Sequence, residues 1–402
     1  MDFKKIYPWI VVVLLSVVAF LNYLDRQMLS TMQQAIGADI AELAEARNFG
    51  RLMAIFLWVY AIVSPFAGSV ADRLSRKWLI VASLGVWSTV TLLMGHCSNF
   101  TQMYWLRALM GVSEALYIPS SLSLIADYHS GGSRSLAVGL HMTGLYLGQA
   151  VGGFGAIFAS ALSWRMTFHW FGLIGVAYAV VLALCLKEKR EPKSLASTPA
   201  PSILKTLPML LTNIAFWVIL FFFASTSLPG WATKNWLPTL FSQHIEGGMA
   251  VAGPIATITI AAASFIGVMI GGPISDRWVR RNLRGRIFTS AIGLSMMVPA
   301  LVLMGLGHSL ATAIASGLIF GLGYGMFDTN NMPILCQFVP ARLRATAYGL
   351  MNMVGVAMGA LCTQLLGRIP NLGLSFAILG GVTALALALQ LLVLHPMTDD
   401  CR

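Results

Sequence analysis

Apolar runs of about twenty residues, separated by short polar breaks, recur along almost the whole of this 402-residue chain, and no other feature restricts its fold as strongly. A hydrocarbon core about 30 Å thick takes roughly 20 apolar residues per helix. Inside it each backbone N–H and C=O must be paired within its own segment, so runs of this length read as helices. They place spans near 8–34, 51–71, 78–97, 102–127, 135–161 and 166–186, then 208–242, 250–274, 287–307, 310–337, 345–367 and 372–394. Composition agrees: 57% of residues are hydrophobic and 10% charged, where a soluble domain carries about a quarter charged residues. The expectation is an all-α membrane protein with about twelve transmembrane helices.

A net charge of +11 invites a nucleic-acid reading, which the placement of the basic residues excludes. Lys4 and Lys5, Arg73 to Lys77, Lys187 to Lys193, Arg277 to Arg286, and Arg342 with Arg344 fall in alternate loops. That is the positive-inside pattern, with both termini cytoplasmic. The short loops point to a prokaryotic inner membrane. Lys4 and Lys5 precede an apolar run too long for a signal peptide and without small residues at its end, so the run is read as a retained first helix. The cysteines, Cys97, Cys185, Cys336, Cys362 and Cys401, have neither metal-like nor redox spacing. No metal, cofactor or catalytic motif is indicated, and no enzyme activity is expected.

The chain repeats itself. Gly68-Ser-Val-Ala-Asp72-Arg73 returns as Gly272-Pro-Ile-Ser-Asp276-Arg277, and Arg134-Ser-Leu-Ala-Val-Gly139-Leu140 returns as Arg344-Ala-Thr-Ala-Tyr-Gly349-Leu350, at nearly one offset. Two six-helix bundles related by a parallel repeat follow, at 1–186 and 208–402, joined by a cytoplasmic linker at 187–207 rich in charge, Pro and Ser. Repeats of this kind place a binding site between the bundles near the bilayer midplane.

The stretch Gly68, Asp72, Arg73, Arg76 and Lys77, with its second copy, resembles the signature of the major facilitator superfamily. The resemblance covers nearly the whole chain. It implies a conformational latch at the cytoplasmic rim, made here of Gly68, Asp72, Arg73, Arg76, Asp276, Arg277, Arg134 and Arg344, that does not touch substrate.

Charges within spans cost at least ~2.5 kcal/mol each at a helix centre and survive when paired or facing a cavity. They are Asp25, Arg26, Arg107, Glu114, Lys234 and Asp328. Three acids against three bases suggests internal neutralisation. Arg107 and Glu114 lie two turns apart on one helical face, with Glu114 near mid-span and Arg107 nearer the outer mouth; Asn22 and Arg26 share a face of the first span. Arg26 and Glu114 are therefore expected to meet at similar depth. A carboxylate there would exchange its proton in competition with a neighbouring arginine; the plainer alternative is a static ion-pair network that fixes helix packing.

Asn22-Tyr23-Leu24-Asp25-Arg26, Arg107-Ala-Leu-Met-Gly111-Val-Ser-Glu114-Ala115 with Pro119, and Asn235-Trp236-Leu237-Pro238-Thr239 are similar to the anion:cation symporter family of organic-anion transporters. The spinster-like lipid transporters share the first two blocks, and Ile125-Ala126-Asp127 is closer to them. The first resemblance implies proton-coupling roles for Glu114 and Asp25 and a substrate-anion contact at Arg26; Asp328 and Arg107, as charges within spans, are further proton-coupling candidates. Asn22, Tyr23, Tyr117, Lys234, Asn235, Tyr324 and Asn331 are further candidates for substrate contact. Asp328 departs from the organic-anion pattern: it is read as a second coupling site, a hydroxyl-binding group, or a carboxylate bonded to Lys234 or backbone. Pro229-Gly230 is expected to break the seventh helix, and Trp58, Trp231 and Trp236 are further candidates for a cavity wall. His141 is a candidate proton-responsive group.

The function expected is proton-coupled symport of a small organic anion, a sugar acid or other carboxylate, by alternating access, with Na⁺ as the alternative coupling ion. The partners are the anionic substrate, H⁺ and the bilayer, and a monomer is expected. A spinster-like exporter of lysolipid or sphingolipid is the rival within transport, and a non-transporting membrane receptor is the rival of another class.

Overall fold

The computed structural model describes residues 3–129, 133–188, 209–212, 214–340 and 343–396, with the side chains of 3–5, 68, 69, 72, 73, 135, 215 and 345 outside the description. The linker expected at 187–207 falls, but for Lys187 and Glu188, outside it too. The chain divides into two compact units, Met1–Ser197 and Thr198–Arg402.

Among the described residues of the first unit, the helices are α1 (Phe3–Thr31), α2 (Gln33–Asp39), α3 (Ala46–Arg73), α4 (Arg76–Met94), α5 (Phe100–Ala115), α6 (Tyr117–Tyr128), α7 (Arg134–Gly152), α8 (Gly155–Leu162) and α9 (Trp164–Cys185). In the second unit they are α10 (Ile214–Ser242), α11 (Gly248–Val279), α12 (Gly285–Leu306), α13 (Leu310–Asp328), α14 (Asn331–Phe338), α15 (Arg344–Leu366) and α16 (Leu372–Val393). Eleven helical stretches are long and apolar enough to cross a membrane, or twelve when the pair α7 and α8 counts as one span, bent by 53°. Large apolar side chains such as Ile62, Trp105, Leu184 and Leu392 stand exposed on the spans, as lipid contact requires. The chain is a multi-pass membrane protein.

Beyond the step from α1 to α2 at Met32, three of the expected spans contain breaks, and each has a local cause. Pro119, four residues after Ala115, offers no N–H to the Ala115 carbonyl, and the helix steps from α5 to α6 at Leu116. Pro333 stands in the same relation to Thr329, between α13 and α14. The bend between α7 and α8 falls at Gly153-Phe154 after a run of glycines. The break expected at Pro229-Gly230 does not form: α10 runs unbroken from Ile214 to Ser242 with Pro229 inside it. A proline removes one hydrogen bond, whereas ending the helix in hydrocarbon would strand several polar groups. Gly230 serves packing instead, since a Cβ there would lie 2.9 Å from Cε2 of Tyr324.

Small residues set how closely helices approach. Gly144, Gly148 and Gly152 of α7 and Gly155 of α8 rest on α1 at the Ser16, Phe20, Leu24 and Met28 carbonyls. Any side chain at these positions would meet backbone. On α5, a Cβ at Gly111 would come within 2.6 Å of the Phe56 carbonyl, so this glycine lets α5 lie directly against α3.

Candidate functional site

Gly111 sits between Arg107 and Glu114 on α5, and the close approach it permits brings both side chains to the Phe56–Tyr60 stretch of α3. From α1, Arg26 reaches the same place. Its Nε donates to Oε2 of Glu114 at 2.5 Å, with Glu114 fully buried. Its guanidinium also lies over the rings of Tyr23 (5.0 Å), Phe56 (4.7 Å) and Tyr60 (5.2 Å). An aromatic collar of this kind holds a cation while supplying few hydrogen-bond acceptors.

Internal neutralisation is less complete than the three-against-three count implies. Of the six charges expected within spans, Arg26 and Glu114 form an ion pair. Asp25 instead accepts from the Thr91 hydroxyl of α4 at 3.0 Å. Arg107, 3% exposed, places its guanidinium 4.6 Å from the Phe56 ring centre and donates from Nη1 to the Met110 sulfur at 3.0 Å. It is thus buried against α3.

Several polar atoms at this place are buried with no hydrogen-bond partner: Arg26 Nη2, Arg107 Nε, Glu114 Oε1, and both amide atoms of Asn22, which lies beside Glu114. Native interiors rarely leave such groups unpaired, and sites for ligands, ions or water are where they concentrate. Two guanidiniums and an amide with unused donors define an anion-compatible locus, and the buried carboxylate beside them can hold or release a proton.

Other predicted residues lie elsewhere. Tyr117 is fully buried, donates its hydroxyl to the Leu15 carbonyl at 2.8 Å and packs edge-on against Trp87. His141 is buried beside Ser121, with 3.4 Å between Nε2 and Oγ. In the second unit, Asn235 donates to Thr363 Oγ1 at 2.8 Å, and Trp236 is fully buried with its Nε1 on the Thr363 carbonyl at 2.9 Å. Lys234 lies over Trp231 and Tyr324, and Asp328 accepts from Asn331.

At the end of the first unit that carries Arg76, this arginine pairs with Asp127. Glu188 accepts from the Ser75 hydroxyl and from the backbone N–H groups of Arg76 and Lys77, capping the first turn of α4. The side chains of Gly68, Asp72 and Arg73, expected to share this latch, lie outside the described residues. Arg134 is exposed. In the second unit Asp276, 62% exposed, pairs with Arg286 at 3.4 Å, and Arg277 is exposed. Arg344 donates to the Val339 and Cys336 carbonyls at 3.1 and 3.0 Å, closing the last turn of α14.

Phe56, Tyr60, Thr91, Asp127 and Glu188 are site or rim partners that sequence reasoning did not identify as such. The signal available for the first two was their one-turn spacing on α3, which places both rings on one face.

The family model described as Major Facilitator Superfamily matches residues 15–363. The chain is 27% identical over 385 residues to Protein spinster homolog 1 of Xenopus laevis, covering 87% of this chain and 70% of that protein. It is 24% identical over 410 residues to the Hexuronate transporter of Bacillus subtilis (strain 168), covering 94% of this chain and 92% of that protein. Among solved structures, a bacterial homolog to the human lysosomal transporter Spinster, in an inward-facing and occupied conformation, superposes with a TM-score of 0.78 at 19% identity. That match covers 96% of this chain and 97% of the other, and it speaks for the fold.

Proposed function

This chain belongs to the Major Facilitator Superfamily, and from that membership we propose that it is a secondary transporter that symports a small organic anion with protons. The observation that carries the proposal is the buried Arg26–Glu114 pair with its unpartnered neighbours. Burying two ions costs several kcal/mol each and leaves a pair that apolar residues could replace without loss of stability. A pair retained at that cost, with Arg26 Nη2 and Arg107 Nε lacking acceptors, is suited to exchange. A substrate carboxylate takes the place of the Glu114 carboxylate on Arg26, and Glu114 accepts a proton as it lets go. Proton and anion then bind with positive linkage. Asp25, held by Thr91, is the second acid of the coupling pathway, and the Arg76–Asp127–Glu188 cluster biases the conformational equilibrium from the rim. Similarity to the Hexuronate transporter supports a sugar acid or other carboxylate as substrate. The orientation proposed, with both termini cytoplasmic, rests on the alternation of basic loops.

A second reading, export of a lysolipid, draws on the similarity to Protein spinster homolog 1 and on Asp127, whose pairing with Arg76 gives the Ile-Ala-Asp block a structural role. Uptake by proteoliposomes separates the two. Glucuronate, gluconate, lactate and a lysophospholipid are offered with and without an inward proton gradient. Gradient-driven accumulation of a carboxylate is expected; movement of the lysophospholipid alone would reject the anion reading.

A further inference from the structure

The helices that form the third span of each unit begin in opposite electrostatic settings. In the first unit, α4 starts after Ser75, whose hydroxyl accepts from the Trp78 N–H, and Glu188 accepts from the backbone N–H groups of Arg76 and Lys77. In the second unit, α12 starts after Arg284, with Arg286 in its first turn, no acidic residue there and no side chain capping its backbone. A helix N-terminus carries partial positive charge, so arginines at this position are unfavourable until negative charge is supplied. Arg286 is answered by Asp276. Arg284 forms no ion pair among the described residues. Its Nη2 donates to the Leu391 carbonyl, its guanidinium lies 5.0 Å from the Phe288 ring centre, and its Nε is buried without a partner.

The same rim of the second unit holds a cavity of about 410 Å³, lined mainly by Ile214 and Val218 of α10, Gln337 and Phe338 of α14, Val393 of α16 and Leu394 after it. Gln337 joins the cavity to the start of α12. Its Nε2 donates to the Leu283 carbonyl, next to Arg284, at 3.0 Å. That bond turns Oε1 the other way, where it is buried without a partner in a residue 5% exposed. The carbonyl that Arg284 reaches, Leu391, stands two residues before Val393. Ile214 and Val393 are largely exposed on the spans, so the cavity opens toward lipid, and exposed Trp217 near the start of α10 marks the depth at which indole rings meet headgroups. An apolar recess at that depth, beside an arginine and a helix N-terminus lacking an anion and an amide oxygen lacking a donor, is complementary to an amphiphile. Its head must carry a phosphate and a hydroxyl, and its tail must be apolar.

We propose that the second unit binds a resident, non-transported anionic phospholipid at this rim. Its phosphate lies at Arg284 and the N-terminus of α12, a headgroup hydroxyl donates to Gln337, and part of an acyl chain fills the cavity walled by Ile214, Val218 and Phe338. The site is independent of what the protein carries.

The test titrates purified full-length protein in detergent with dioleoylphosphatidylglycerol and with dioleoylphosphatidylcholine, and counts retained lipid by native mass spectrometry. Wild type should retain one phosphatidylglycerol with a preference of about fivefold or more over phosphatidylcholine, the scale of one arginine meeting an anionic headgroup. Arg284→Gln should bring that preference close to unity with phosphatidylcholine retention unchanged. Arg281→Gln, which removes an exposed charge of the same loop, should keep it. Val218→Trp fills the cavity from α10 and should weaken retention of both lipids, so it reads the tail separately from the charge. Glycerol 3-phosphate, the headgroup chemistry without a tail, should not displace the lipid. Equal losses in Arg281→Gln and Arg284→Gln, a preference untouched by Arg284→Gln, or full retention in Val218→Trp would overturn the site. Displacement by glycerol 3-phosphate would make a soluble anion the occupant and overturn the lipid. Replacing both Asp399 and Asp400 by Asn should change nothing; retention of phosphatidylglycerol in that variant alone would make those carboxylates the occupant and overturn the proposal.

Discussion

Arg26 and Glu114, 88 residues apart in sequence, meet at 2.5 Å inside the first unit, and the atoms each leaves unpaired, Nη2 and Oε1, lie in the same buried place. The contact is an ordinary charge-assisted hydrogen bond on one side and an unused donor and acceptor on the other. A second anion or a proton can enter it without first dismantling a saturated network.

Glu114→Gln fixes the neutral form. Exchange of substrate across proteoliposomes should persist, while accumulation driven by a proton gradient should disappear, since no proton can return through an amide. Gradient-driven accumulation in this variant would assign coupling to another acid.

Arg26→Lys keeps the charge and loses the planar fork that bridges Glu114 and the Tyr23, Phe56 and Tyr60 rings. Affinity for a carboxylate substrate should weaken about tenfold or more. Calorimetric titration reads this directly, and near-normal affinity would remove Arg26 from the site.

Arg76→Gln breaks the pair with Asp127 and leaves the Glu188 cap of α4 in place, because the cap uses backbone N–H groups. Substrate affinity should stay within about threefold while exchange slows, as expected of a residue that biases conformations without touching ligand. Parallel binding and counterflow assays separate the two, and a large affinity loss with normal exchange would refute the assignment.

His244, in the turn after α10, stacks on His308 with 4.5 Å between ring centres. Partial burial, and then the neighbouring His308, hold its pKa below the ordinary 6.5. A base with a depressed folded pKa contributes stability that is present above the unfolded value and lost as pH falls toward the folded one. The melting temperature should therefore drop as pH falls below the ordinary 6.5, and drop less in His244→Gln. Equal slopes for the two proteins in a thermal-shift series would contradict this.

The spans, eleven or twelve among the described residues, were legible because hydrocarbon admits few alternatives to a helix, and apolar runs report it directly. The meeting of Arg26 with Glu114 was legible because charges in spans are costly and their depth follows from residue count. Phe56 and Tyr60 were not singled out, since an aromatic residue in an apolar span looks the same whether it faces lipid, core or a guanidinium. Thr91 escaped for a related reason: a hydroxyl that returns to its own helix backbone needs no partner, and its bond to Asp25 depends on how α1 and α4 pack. Pro229-Gly230 misled because the pair signals a turn in water, where freed backbone groups find solvent, whereas in α10 the glycine makes room for Tyr324.

The seating of Gly144, Gly148, Gly152 and Gly155 on the α1 backbone also bears on how this protein could be re-engineered. That flank of α7 and α8 has no room for new side chains, and the helix it rests on, α1, carries Asn22, Tyr23, Asp25 and Arg26. A library aimed at new cargo would waste its diversity at these glycines, where any side chain meets the α1 backbone. Variation placed at the Tyr23, Phe56 and Tyr60 rings, which surround Arg26, leaves the seat of α7 on α1 untouched and directs selection to recognition.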